Sequence, residues 1–127
     1  MTQEASEVKR QPMANTRAKP EPSRAQQRAA ARARRLRGAV LSLLAEESPE
    51  RLNADVLLGV LERLHYDVTS RELAAALAYL RSRGYVEFEE LRSRELPGLP
   101  RIIRVGITAP GADVVEGTTD DPGVDVP

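Results

Sequence analysis

Apolar positions along this chain change rhythm twice, from none to a helical period and then to a period of two. Residues 1–22 show no apolar periodicity, carry Pro12, Pro20 and Pro22, and read as a disordered basic arm. Ser23 then stands as a helix cap before AQQRAAARARRLRGAVLSLLAEES, a run of strong helix formers starting near Arg24. In its second half Leu36, Val40, Leu43 and Leu44 recur at helical spacing, so that half packs on a core. The first half alternates Ala with Arg and has no such stripe. Residues 23–35 therefore read as a helical extension that projects beyond the domain or frays, and Gly38 weakens its continuity.

Ser48-Pro49 ends this helix. Asn53 is placed to cap a second one, ADVLLGVLERLHY, with Asp55 in the first turn where the helix dipole favours an acid. Leu57, Leu61 and Leu64 define its buried face, with Val60 beside them. Thr69 and Ser70 open a third helix, RELAAALAYLRSR, and Glu72 follows Thr69 at capping-box spacing. Leu73, Leu77 and Leu80 face inward. Gly84, preceded by Arg81 and Arg83, stops the helix, and Tyr85 is placed to close on Leu80 in a Schellman ending.

Beyond Gly84 the period becomes two: Val86 and Phe88 alternate with Glu87 and Glu89, as in a strand with one wet face. Residues 92–100 contain Pro97, Gly98 and Pro100 and form the tip of a hairpin. Its return strand is RIIRVGIT, with Ile103, Val105 and Ile107 on one face. Thr108, Ala109 and Pro110 signal a short helix ending at Gly117. Residues 118–127, TTDDPGVDVP, read as an acidic flexible tail. Three helices, a two-stranded wing and a short terminal helix make an α+β, mostly α, winged helix-turn-helix domain over residues 23–117.

Charge changes the picture more than composition does. Residues 1–37 carry ten basic and three acidic side chains, and residues 38–127 carry nine basic and sixteen acidic ones. The zero net charge is thus a +7 segment joined to a −7 segment. Such a split suits one end to a polyanion, since each neutralised phosphate releases condensed counterions. At 127 residues there is room for one core. Aromatic content is 3%, so that core is aliphatic. The chain has no cysteine, which excludes disulfides and thiolate zinc sites, and one histidine, His65, which cannot build a multi-histidine metal site. His65 reads as a helix-end residue near the negative pole of the dipole. No nucleophile–base set, acid pair or phosphate-cradling glycine loop stands out, so the expectation is a protein that is not an enzyme and takes no cofactor or metal. There is no apolar run near 18 residues and no signal-peptide core, so a cytoplasmic protein with no membrane partner is expected.

The stretch DVTSRELAAALAYLRSRGYVEFEEL resembles the recognition helix and first wing strand of bacterial winged-helix regulators. The ending RVGITAPGADVVEGTTDDPGV is similar to the terminal segment of small winged-helix proteins of Mu-like bacteriophages and prophages, often labelled arsenical-repressor-type transcriptional regulators. The resemblance covers roughly residues 36–124 and implies DNA binding and control of transcription in a bacterial host. Arsenical-type sensors typically bind metal through cysteines, which this chain lacks, so metal sensing is not implied here.

In such a domain the third helix enters the major groove and its first turns meet base edges. That surface offers Thr69, Ser70, Arg71, Ala74, Ala75 and Ala78, of which only Arg71 can contact guanine through two hydrogen bonds. The wing holds Arg92, Arg94, Arg101 and Arg104 against one acid, Glu95, a pattern suited to phosphate or the minor groove. Arg28, Arg32 and Arg35 fall on one face of the first helix as a phosphate clamp. The expected partner is double-stranded DNA, gripped mainly by arm and wing. The rival reading is a winged-helix interaction or assembly module, or a DNA-packaging accessory without sequence-specific recognition. The alanine-rich third helix and the acids Glu46, Glu47, Glu50, Glu87, Glu89 and Glu90 favour that rival, in which the partner is a second copy or a phage protein.

Overall fold

Ser23 opens the first helix with a reciprocal cap: its hydroxyl accepts from the Gln26 N–H at 3.1 Å, and the Gln26 side chain accepts from the Ser23 N–H at 2.8 Å. The computed structural model describes residues 20–92 and 100–127, so the arm expected over 1–22 lies outside the described residues except for its last three. The helix, α1 (Arg24–Glu47), runs without a break through Gly38. It is followed by α2 (Ala54–Arg63), α3 (Ser70–Ser82), β1 (Val86–Leu91), β2 (Arg101–Ile107) and α4 (Ala109–Glu116). The described chain is thus mixed α+β and mostly helical, with β1 and β2 forming a two-stranded antiparallel sheet.

The core is aliphatic: Val40, Leu41, Leu44, Leu57, Leu61, Leu77, Leu80, Val86 and Val105 are fully buried. α1 packs on α3, α4 and β2, so its buried arc is wider than one stripe. Leu41 therefore lies inside although the periodicity did not single it out, and Leu43 is only partly covered. Leu64, expected on the buried face of α2, is 52% exposed because the helix ends there and the chain turns away.

Both helix endings that matter for the site are Schellman turns. At α3 the Tyr85 N–H donates to the Leu80 carbonyl and the Gly84 N–H to that of Arg81, both at 2.9 Å, with Gly84 at φ 78°. At α2 the Tyr66 N–H donates to the Leu61 carbonyl at 2.9 Å, and the left-handed position is taken by exposed His65 at φ 69°. A Cβ in that region crowds the following carbonyl, so the turn carries strain that glycine would not.

Asn53 occupies the N-cap position of α2 but makes no capping bond; its side-chain oxygen accepts from the Arg104 N–H at 3.1 Å. Leu52 beside it exchanges two backbone hydrogen bonds with Val105, at 2.9 and 2.8 Å, so the segment before α2 adds a rung to the hairpin. Along β1 and β2, Glu87 pairs with Gly106 but Glu89 pairs with Ile103, which inserts one extra residue in β2. This bulge, with Arg104 at φ 56°, reverses the alternation. The expected shared face of Ile103, Val105 and Ile107 is therefore not formed: Ile102 and Val105 are buried, and Ile103 and Ile107 are only partly so.

Residues 118–127, expected as a flexible tail, pack against α1 and the end of α3 instead. Asp121 is 6% exposed and accepts from the Tyr85 hydroxyl at 2.6 Å and from the Gly123 N–H at 2.7 Å. Val124 is buried, and the Asp125 N–H donates to the Arg34 carbonyl at 3.1 Å. A Cβ on residue 38 would stand 1.6 Å from the Asp125 carbonyl oxygen, so the segment crosses α1 where only glycine leaves room. The anchor of this segment, the Tyr85–Asp121 bond, joins residues 36 positions apart, which no local pattern reveals.

The Tyr85 hydrogen bond holds the Asp121 carboxyl below its ordinary pKa. The same bond, with burial, pushes the Tyr85 phenol up to about 12. Asp121 therefore contributes stability at neutral pH that is lost as pH falls through the lowered pKa, and Tyr85 contributes stability that is full below pH ~10 and lost as pH rises to about 12. Tyr85→Phe should cost about 1–3 kcal/mol at pH 7 and flatten both pH limbs, read by urea unfolding across pH. His65→Gly should stabilise the chain by roughly 1 kcal/mol in the same assay by relieving the left-handed strain; an unchanged midpoint would show that the turn is unstrained.

Candidate nucleic-acid interface

The capping box of α3 fixes the first turn of the candidate reader. The Thr69 hydroxyl accepts from the Glu72 N–H at 3.1 Å, and the Glu72 carboxylate accepts from the Thr69 N–H at 2.9 Å. That second bond, helped by the Arg32 guanidinium, holds the Glu72 carboxyl below its usual pKa. Thr69 is thus committed as an acceptor, while Ser70 and Arg71 after it are exposed. Leu73, Ala76, Leu77 and Leu80 turn inward, leaving Arg71, Ala75 and Ala78 along the outer crest.

The crest stands between two grooves that share Ala75. One, of about 630 Å3, separates α3 from α1 and is lined by Arg28, Arg32 and Arg35 together with Glu72 and Ala76. The arginine ladder of α1 therefore lies beside α3. Arg28 and Arg35 are exposed and, among the described residues, have no ion-pair partner. Arg32 differs: it lies 3.3 Å from Glu72 and also donates to the Asp67 carbonyl, so it ties α1 to the start of α3 and is not a free clamp residue.

The second groove, of about 480 Å3, lies between α3, the start of α2 and the hairpin. Phe88 and Ile102 supply part of its apolar wall, and its polar edge joins Ser70, Arg71 and Arg101 with two acids, Asp55 and Glu90. Arg71 and Arg101 come from different elements, and neither has an ion-pair partner among the described residues. Arg92 is exposed at the end of β1, and Arg94 lies outside the described residues.

Arg104 departs from the expected wing set. Its guanidinium pairs with Glu89 at 3.0 Å, and its backbone forms the bulge held by Asn53. It belongs to a pattern that sequence reasoning missed: Glu87 pairs with Arg51 at 3.2 Å and Glu90 with Arg81 at 3.6 Å. All three glutamates of β1 thus face a guanidinium. The alternating acids of VEFEEL were the available signal, but their partners sit on three other segments. Exposed pairs of this kind add little stability, yet the one to Arg81 offsets Glu90 beside the second groove, while Asp55 there has no ion-pair partner among the described residues.

Among the described residues no helix is long and apolar enough to cross a membrane. Compared with family models, curated proteins and solved structures, the chain matches none, so its functional reading rests on its own residues.

Proposed function

We propose that this chain is a winged-helix protein that binds double-stranded DNA through its basic arm, the arginine ladder of α1 and the wing, and that it acts as a phage or prophage transcriptional regulator. The observation that carries the reading is the placement of α3 between two grooves with unpaired arginines, Arg28 and Arg35 on one side and Arg71 and Arg101 on the other. A helix crest flanked by basic residues on both sides suits a major groove flanked by two phosphate backbones. The Leu52–Val105 rung supports the winged-helix part, since it ties the segment before α2 to the hairpin. Binding is mostly electrostatic, because the crest offers one strong base reader, Arg71, among alanines.

The exposed Ala75 and Ala78 favour a second reading, an assembly module in which small residues admit a close helix from a partner. Ala78→Glu separates the two. In the DNA reading it weakens DNA binding while the mass in solution stays the same; in the assembly reading it dissociates a self-associated wild type.

Removal of residues 1–22 keeps Ser23 and its cap, so the domain should stay folded. If Lys9, Arg10, Arg17 and Lys19 each meet a phosphate, the slope of log affinity against log salt should fall by roughly 3.6. An unchanged slope in gel shifts at several salt concentrations would exclude the arm from binding. Arg71→Ala should cost about 1–3 kcal/mol on a preferred site and relax preference there. Arg28→Ala and Arg35→Ala should instead weaken all sequences alike, each lowering the slope by about 0.9. Competition against random duplex distinguishes the two behaviours, and sequence-blind losses from Arg71→Ala would mean α3 is not a reader.

A further inference from the structure

Where α1 meets the end of α3 and the C-terminal segment, a cavity of about 350 Å3 opens, sharing Ala33 and Arg37 with the groove between α1 and α3. Three arginines line it: Arg34 and Arg37 from α1 and Arg83 from the cap of α3. Two of them share one aromatic ring. The Arg37 guanidinium lies 3.8 Å from the centroid of Tyr79 and that of Arg83 lies 5.4 Å from it. Ala30 and Ala33 form the floor and leave the space unfilled.

The cluster has more donors and more positive charge than the protein itself answers. Asp121 is the single carboxylate lining the cavity, and it already accepts from the Tyr85 hydroxyl and the Gly123 N–H. Arg83 approaches it only to 3.9 Å, and its Nε donates to the Tyr79 hydroxyl at 3.3 Å. Arg37 donates Nη1 to the Gly123 carbonyl at 3.0 Å, while its Nε is buried with no acceptor among the described residues. The Arg34 guanidinium has no ion-pair partner among them either. Three guanidiniums against one carboxylate leave a surplus of two positive charges around a small cavity.

We propose that this cavity is an anion site that takes a phosphate group. A phosphate dianion matches the surplus charge and offers an oxygen to each guanidinium, whereas a single carboxylate would satisfy only part of the set. Bound there, it fastens the C-terminal segment to α1 and α3. Free phosphate carries that dianion, whereas a backbone phosphodiester brings one charge and two free oxygens and would answer only part of the set, so free phosphate is the expected source; the site does not depend on the DNA-binding reading and is tested without it.

The test follows the arginine side-chain Nε–H signals of the full-length chain by NMR during titration with inorganic phosphate, with sodium chloride holding the ionic strength constant. The Arg37 and Arg83 signals should shift saturably. Half-saturation should rise about tenfold in Arg34→Gln and in Arg83→Gln, the loss of roughly one charge-assisted hydrogen bond. The hydrogen bond from the Asp125 N–H goes to the Arg34 backbone carbonyl, which Arg34→Gln keeps, so this variant should keep the fold. Signals that stay in place or fail to saturate at constant ionic strength, or variants that titrate like wild type, overturn the site. A blunt-ended duplex without terminal phosphates then assigns the source. If a backbone phosphodiester fills the site, the duplex moves the same signals and competes with phosphate; if a free ion does, the signals stay in place at saturating duplex. A chain that binds phosphate but no duplex keeps this site and removes the DNA-binding proposal.

Discussion

Where the C-terminal segment crosses α1, Gly38 and the Asp125 backbone come so close that a single methyl group would not fit between them. That contact lies at the boundary between the two halves of α1. On one side Val40, Leu41 and Leu44 are fully buried; on the other Arg28, Arg32 and Arg35 flank a groove. A helix with no apolar stripe has little to hold it, since isolated helices of this length are marginal in water. Here the arginine half is held by four attachments: the Ser23–Gln26 cap, the Arg32 bonds to the start of α3, the Arg34 carbonyl that takes the Asp125 N–H, and the Arg37 guanidinium that donates to the Gly123 carbonyl. The segment that crosses α1 is anchored in turn by Asp121 on Tyr85. The arginine ladder and α3 are thereby held in one register.

The charge split of the sequence has a spatial form. Acids of β1 are matched one by one with Arg51, Arg81 and Arg104, so the hairpin does not oppose a polyanion as strongly as its composition suggests. Several arginines without carboxylate partners gather elsewhere: Arg28 and Arg35 beside one groove, Arg71 and Arg101 beside the other, and Arg34 and Arg37 at the cavity between α1 and the C-terminal segment. These arginines fall into two groups. One knits segments together, and the other faces open space where an anion can enter.

Much of the fold was legible because its determinants are local. The Thr69–Glu72 box, the Gly84–Tyr85 ending and the change of period after Gly84 each lie within a few residues, and each appears where expected. What was hidden depends on distant partners. Asn53 looks like a helix cap but serves Arg104, and the bulge at Arg104 reverses the faces of a strand whose alternation looked simple. Arg32 looks identical to its neighbours at 28 and 35, yet it alone meets Glu72. Gly38 reads as a weak point in a helix and is instead a crossing point. The acidic ending carries its anchor, Asp121, among turn residues that give no sign of burial.

Hydrogen exchange along α1 in the full-length chain tests the central claim most directly, that the arginine-bearing half is held fixed beside α3 by the crossing segment. The account predicts amides over residues 28–35 protected well above unfolded rates, with protection lost over that stretch and at Asp125 in Gly38→Ala while the amides of Leu41 and Leu44 stay protected. Unprotected amides over 28–35 in the wild type, or a Gly38→Ala profile identical to it, would contradict the account.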